Sequence, residues 1–243
     1  MKDLFLVSDE KQLADYTDFV ERHRTVLKNY LVYLQTHFQV EDLPDVIVWS
    51  DKEAATRFVR DCPIPAYTND IRMVMTPDLK VWKDIYLKQI ENYSTEDTQE
   101  IVAHYHSLSD NHLLQIIGHE LAHQSEQFLD YEEETMWFEE GMVEYISRSY
   151  FLTKEEFDRE KQINQQLVHL FQTKNGHHPL SQFGQATYQE DYASMFYEYW
   201  RSFLAIDYLV EKFGTAEAVF AEYHRWNNEN RPVDLLTWFG IEI

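Results

Sequence analysis

The sequence predicts an α+β protein, mostly helical, with a small sheet-bearing lobe over residues 1–108 and a helical lobe over residues 109–243. Three observations carry this. Two short apolar runs, Val46-Ile47-Val48-Trp49 and Ile71-Arg72-Met73-Val74-Met75-Thr76, stand in the first third between Pro, Asn and Asp residues that favour turns. Beyond about Asp78 the apolar residues recur at helical spacing, glycine is sparse, and candidate caps stand at Ser94, Ser109, Asp110 and Thr135. The length of 243 residues, 44% hydrophobic and 26% charged, suits a single domain with two lobes packed on each other.

Taken in order, residues Glu10 to Phe38 read as a long amphipathic helix, with Leu13, Tyr16, Val20, Leu27, Leu31 and Leu34 near one face. Val46–Trp49 is the first strand. A helix over about Asp51 to Arg60 ends before Pro63, and Ile71–Thr76 is the second strand. A helix is expected from about Asp110 to Phe128, and another through Trp137–Tyr145. No repeat or low-complexity linker interrupts the chain.

Composition narrows the function. Cys62 is the only cysteine, which rules out a disulfide framework and an all-cysteine metal site. No run approaches the roughly 20 apolar residues of a membrane span. The first ten residues lack the apolar run of a signal peptide, so a cytoplasmic protein is expected. A net charge of −22 argues against nucleic acid and anionic membranes as partners, since both reward Lys and Arg. The same charge keeps a protein soluble, and it would also suit basic peptides.

The chemistry-bearing stretch is His119-Glu120-Leu121-Ala122-His123. On a helix the two histidines share a face and can hold one Zn²⁺, with Glu120 beside it as a general base. Such a pattern arises by chance in roughly one comparable chain in twenty, so its surroundings decide its weight. Leu113, Ile117 and Leu121 form an apolar stripe, with Ile116, His119, Glu120, His123 and Gln127 on the adjoining face; that sets the histidines beside the core. Further on stands Trp137-Phe138-Glu139-Glu140-Gly141-Met142-Val143-Glu144-Tyr145. A catalytic zinc site wants three protein ligands and an open position. Glu139 and Glu140 both qualify as the third. Glu144, one turn after Glu140, is placed to accept a hydrogen bond from the far ring nitrogen of a ligand histidine, which fixes the ring. The bland alternative for these glutamates is a solvated acidic face.

Together these motifs resemble the gluzincin metallopeptidases, a group that includes thermolysin, the large zinc aminopeptidases and compact peptidase MA-like proteins. The resemblance implies a zincin-like fold with the active-site helix at the junction of the lobes, and one bound zinc ion. In the aminopeptidase branch the third ligand is the glutamate before the glycine of Trp-x-x-Glu-Gly, which is Glu140 here; the spacing from His123 is slightly shorter than in those enzymes. A further likeness is Tyr199-Trp200-Arg201-Ser202-Phe203-Leu204-Ala205-Ile206-Asp207-Tyr208-Leu209, followed by Gly214. In the family a tyrosine followed three residues on by a small residue donates to the oxyanion, and Tyr199 and Ser202 stand in those places. Tyr192 and Tyr197 are competitors. The resemblance spans about residues 109 to 214.

The implied activity is hydrolysis of a peptide or protein substrate, with Glu120 as general base and Tyr199 as oxyanion donor. The Gly-x-Met-Glu-Asn segment with which aminopeptidases anchor a free amine is absent, which points to an endo- or oligopeptidase. Substrate backbone is expected to pair along Ile71–Thr76. The alternatives are an inactive zinc-binding relative acting as a scaffold or regulatory module, and a structural helical protein with a chance motif. His104, His106, His112, His177 and His178 take surface or packing roles, the last two in a loop opened by Asn175-Gly176.

Overall fold

A computed structural model of the protein describes residues 1–61, 63–130, 132–184, 186–187 and 191–241. The fold is mostly helical with one four-stranded sheet, an α+β arrangement. The chain divides into two compact units, Met1–Asp84 with Leu108–Glu126, and Ile85–Ser107 with Gln127–Ile243. A single cut at 108 therefore does not describe it: residues 85–107 sort with the C-terminal helices, and the stretch bearing His119 sorts with the sheet.

The first unit is built on strands β1 (Lys2–Leu6), β2 (Val46–Ser50), β3 (Ala66–Thr68) and β4 (Arg72–Met75), in the order β1-β2-β4-β3. β1, β2 and β4 run parallel, with Lys2 opposite Val46 and Val46 opposite Arg72, while β3 runs antiparallel to β4 with Tyr67 opposite Val74. Both strands legible in the sequence, β2 and β4, are the interior ones. They are buried on both faces, so they read as unbroken apolar runs. β1 and β3 escaped notice because one is mostly exposed and the other has three residues. Asn69 makes the turn between β3 and β4: its side-chain oxygen accepts from the backbone N–H groups of Ile71 and Arg72.

Helix α1 (Glu10–Phe38) joins β1 to β2. Asp9 caps its start by accepting from the Gln12 N–H at 2.8 Å, and Gln39 ends it in the left-handed conformation. Its buried face is Tyr16, Phe19, Val20, Tyr30, Leu34 and Phe38. Tyr16, Val20 and Leu34 are buried as expected, Leu27 and Leu31 are half-buried, Leu13 is exposed, and Phe19, Tyr30 and Phe38 complete the face. The helix expected over about Asp51 to Arg60 is present, and over Ala54–Val59 it winds as a π-helix. Asp51 opens it by accepting from Ala54 N–H at 2.8 Å.

Helix α2 (Leu79–Lys88) follows the sheet. The second unit holds α3 (Thr95–Ser107), α5 (Glu132–Phe151), α6 (Lys154–Asn175), α7 (Tyr192–Phe213), α8 (Ala216–Asn228) and α9 (Leu235–Phe239). Ser94 caps α3, whereas Thr135 lies inside α5 rather than capping it. A capping box of Thr153 and Glu156 starts α6, and Gly214 with positive φ ends α7. The core of this unit is aromatic. Phe138 stacks on Tyr223 at 4.3 Å between ring centres, and Phe171 on Tyr197 at 4.1 Å. Among the described residues no helix is long and apolar enough to cross a membrane.

Candidate metal and catalytic site

Helix α4 (Asp110–Ala122) carries the His-Glu-Leu-Ala-His motif in the first unit. Ser109 caps it in a box with His112, whose Nδ1 accepts from the Ser109 N–H at 3.2 Å. Every side chain from His112 to Ala122 is buried, because α4 packs between α1 and the β3–β4 side of the sheet. Ile117, Leu121 and Ala122 are at most 1% exposed, and full burial of an Ile or Leu contributes about 1.5–3 kcal/mol.

α1 holds α4 along its length. Asp110 at the start of α4 accepts from Arg22 Nη1 at 2.7 Å and faces His23 Nε2 at 2.9 Å. The Tyr30 hydroxyl donates to the Gly118 carbonyl at 2.9 Å, one residue before His119. At the far end the Ser125 hydroxyl donates to the Phe38 carbonyl, and Glu126 N–H to the Gln39 carbonyl. These last bonds draw the backbone away from helical pairing, so α4 stops at Ala122 instead of running to Phe128, and Gln127 leaves the helix face.

His119 is 7% exposed and Glu120 8%, while His123 is half-buried and still in helical conformation as the C-cap. The two Nε2 atoms converge to 3.2 Å. Two Zn–N bonds of about 2.0–2.1 Å at the tetrahedral angle separate their nitrogens by about 3.3 Å, so the pair fits a shared zinc ion.

In the second unit α5 carries Glu140 and Glu144, both buried, with Arg148 one turn beyond; Glu139 is only half-buried. Arg148 Nη2 bonds Glu144 Oε2 at 2.7 Å. Gly141 marks the crossing of α5 and α7. A Cβ there would lie 2.5 Å from the Ser202 carbonyl oxygen and 2.7 Å from Ile206 Cγ1. The glycine of the Glu-Gly pair and the small residue at 202 thus share one physical cause, the approach of two helix backbones.

The chain matches no known family model, no curated protein and no solved structure.

Tyr199 lies on α7 one turn before Ser202, half-buried, with its ring centre 5.5 Å from Phe183 and 6.2 Å from Phe196. Its competitor Tyr197 is committed to the core: it stacks on Phe171, accepts from Gln172 Nε2 at 3.0 Å, and carries the Arg201 guanidinium over its ring at 4.2 Å. Tyr192 sits at the first turn of α7 under the Lys88 ammonium. Of the other histidines, His104 is buried against Glu160 at 2.8 Å, His112 caps α4, and His106, His177 and His178 are exposed. Asn175 is the last residue of α6, so the loop expected to open at Asn175-Gly176 opens at Gly176.

Sequence reading had missed Tyr30, Glu160 and Arg148. Only Arg148 carried a local signal, its i+4 spacing from Glu144. The expected pairing edge is corrected as well. β4 has neighbours on both sides, so Ile71–Thr76 offers no free edge, and β3 is the outermost strand beside α4.

Proposed function

We propose that the protein is a zinc-dependent metallopeptidase of the gluzincin type, cytoplasmic, and an endo- or oligopeptidase. The observation that carries this is the convergence of His119 Nε2 and His123 Nε2 at 3.2 Å on a buried helix that also buries Glu120. His119, His123 and Glu140 would hold the ion. Zinc, when bound, supplies Lewis acidity toward the scissile carbonyl and a water. Glu120 takes the proton of the attacking water and returns it to the leaving amine. The Tyr199 hydroxyl donates to the developing oxyanion. Glu144 orients a ligand histidine by accepting from its far ring nitrogen. The backbone of the peptide pairs along β3 at Ala66–Thr68; a peptide-inhibitor complex with its backbone elsewhere removes that part.

The test is metal analysis of the purified protein with a peptide-library cleavage assay, run beside Glu120→Gln. Because Glu120 is not a ligand, the variant is expected to keep zinc while hydrolysis falls about 10²–10⁴-fold. A variant cleaving at the wild-type rate, or a protein with no affinity for zinc, overturns the reading.

A further inference from the structure

We infer that Arg148 is a positioning residue for the metal site, acting through Glu144. The inference rests on the zinc-peptidase reading. Glu140, Glu144 and Arg148 stand at i, i+4 and i+8 on α5, so they follow one another along a single face. All three are buried, with side-chain exposures of 12% for Glu144 and 10% for Arg148. The Arg148 guanidinium lies over a fixed platform: its carbon is 4.2 Å from the centre of the Phe203 ring. Phe203 is itself fully buried and edge-on to Phe157 at 5.6 Å.

Stability alone does not account for an arginine here. Burying an ion pair costs desolvation that the pairing barely offsets, and an apolar side chain of the same length is often the more stable choice. Arg148 adds to that cost, because its Nε and Nη1 are buried with no hydrogen-bond acceptor among the described residues. The geometry instead gives the guanidinium one definite task. It is pinned by Phe203 and holds one oxygen of Glu144 through Nη2, which fixes the carboxylate's rotamer. On the zinc-peptidase reading the other oxygen is the one that would serve a ligand histidine. A carboxylate without that anchor loses its direction and with it the ligand it aligns.

The experiment measures zinc affinity, by competition with a chromophoric chelator, for wild type, Arg148→Met, Arg148→Lys and Arg201→Met. Arg201 is the matched control: it is also a buried arginine over a ring, paired with Glu198 on α7 of the same unit. Arg148→Met is expected to weaken zinc binding about 10–100-fold, and Arg148→Lys to recover most of it. Arg201→Met is expected to lower the melting temperature and leave zinc affinity unchanged. Should Arg148→Met fail to fold, Arg148→Gln takes its place with the same expectation. Unchanged zinc affinity in the Arg148 variants, or an equal loss in Arg201→Met, overturns the inference. A wild-type protein that binds no zinc overturns the peptidase reading itself.

Discussion

Gly141 shows how one residue can be demanded by a neighbour far away in sequence. Alanine is the better helix former by about 1 kcal/mol, so propensity favours the substitution Gly141→Ala. The methyl would meet a backbone oxygen, however, and a helix backbone cannot step aside as a side chain can. Overpacking of that kind costs about 1–3 kcal/mol, and it wins. Gly141→Ala is therefore expected to lower the urea midpoint; an unchanged or raised midpoint contradicts the crossing described for α5 and α7. The sequence made Gly141 conspicuous only as part of a motif, since its physical partner Ser202 belongs to another helix. The choice between Tyr197 and Tyr199 was likewise open, because what commits Tyr197 to the core is Phe171 on α6.

At the scale of elements, α4 is positioned by α1, and two predictions follow from the contacts between them. Tyr30→Phe removes the buried bond to the Gly118 carbonyl and is expected to cost about 0.5–1.5 kcal/mol in chemical unfolding. The second concerns acid. Burial pushes the Asp110 carboxyl up, but Arg22 and His23 pull it down further, leaving it below its ordinary value of 3.8. A lowered carboxyl stabilises the fold fully above the ordinary value and loses that contribution as pH falls through the lower, folded one. Unfolding free energy measured from about pH 5 down to about pH 2 should fall less steeply in Asp110→Asn than in wild type. Equal slopes would mean that the Asp110 contacts add nothing. The limits of α1 were legible because periodicity and an Asp cap are local signals. The strand order was not, since it depends on which backbones meet: β4 reads as a strand from its own residues, yet whether it is an edge is decided by β3.

For the whole molecule, a net charge of −22 spread over 243 residues is a self-repulsion that salt screens. Raising the salt from about 10 mM to about 300 mM should raise the melting temperature, and a fall would mean that attractive ion pairs outweigh the repulsion. The general class, helices with a small sheet, was legible from composition and periodicity. The partition into units was not, because hydrophobic patterning tells a helix which face to bury but not against which neighbour. Its consequence is one of order in time. The sheet unit takes its central helix from residues 108–126, which leave the ribosome only after a stretch that belongs to the other unit. Until then the Tyr30 hydroxyl has no Gly118 carbonyl to bond. A nascent chain halted at residue 107 holds neither unit in full, and no single cut in the gene can separate the two.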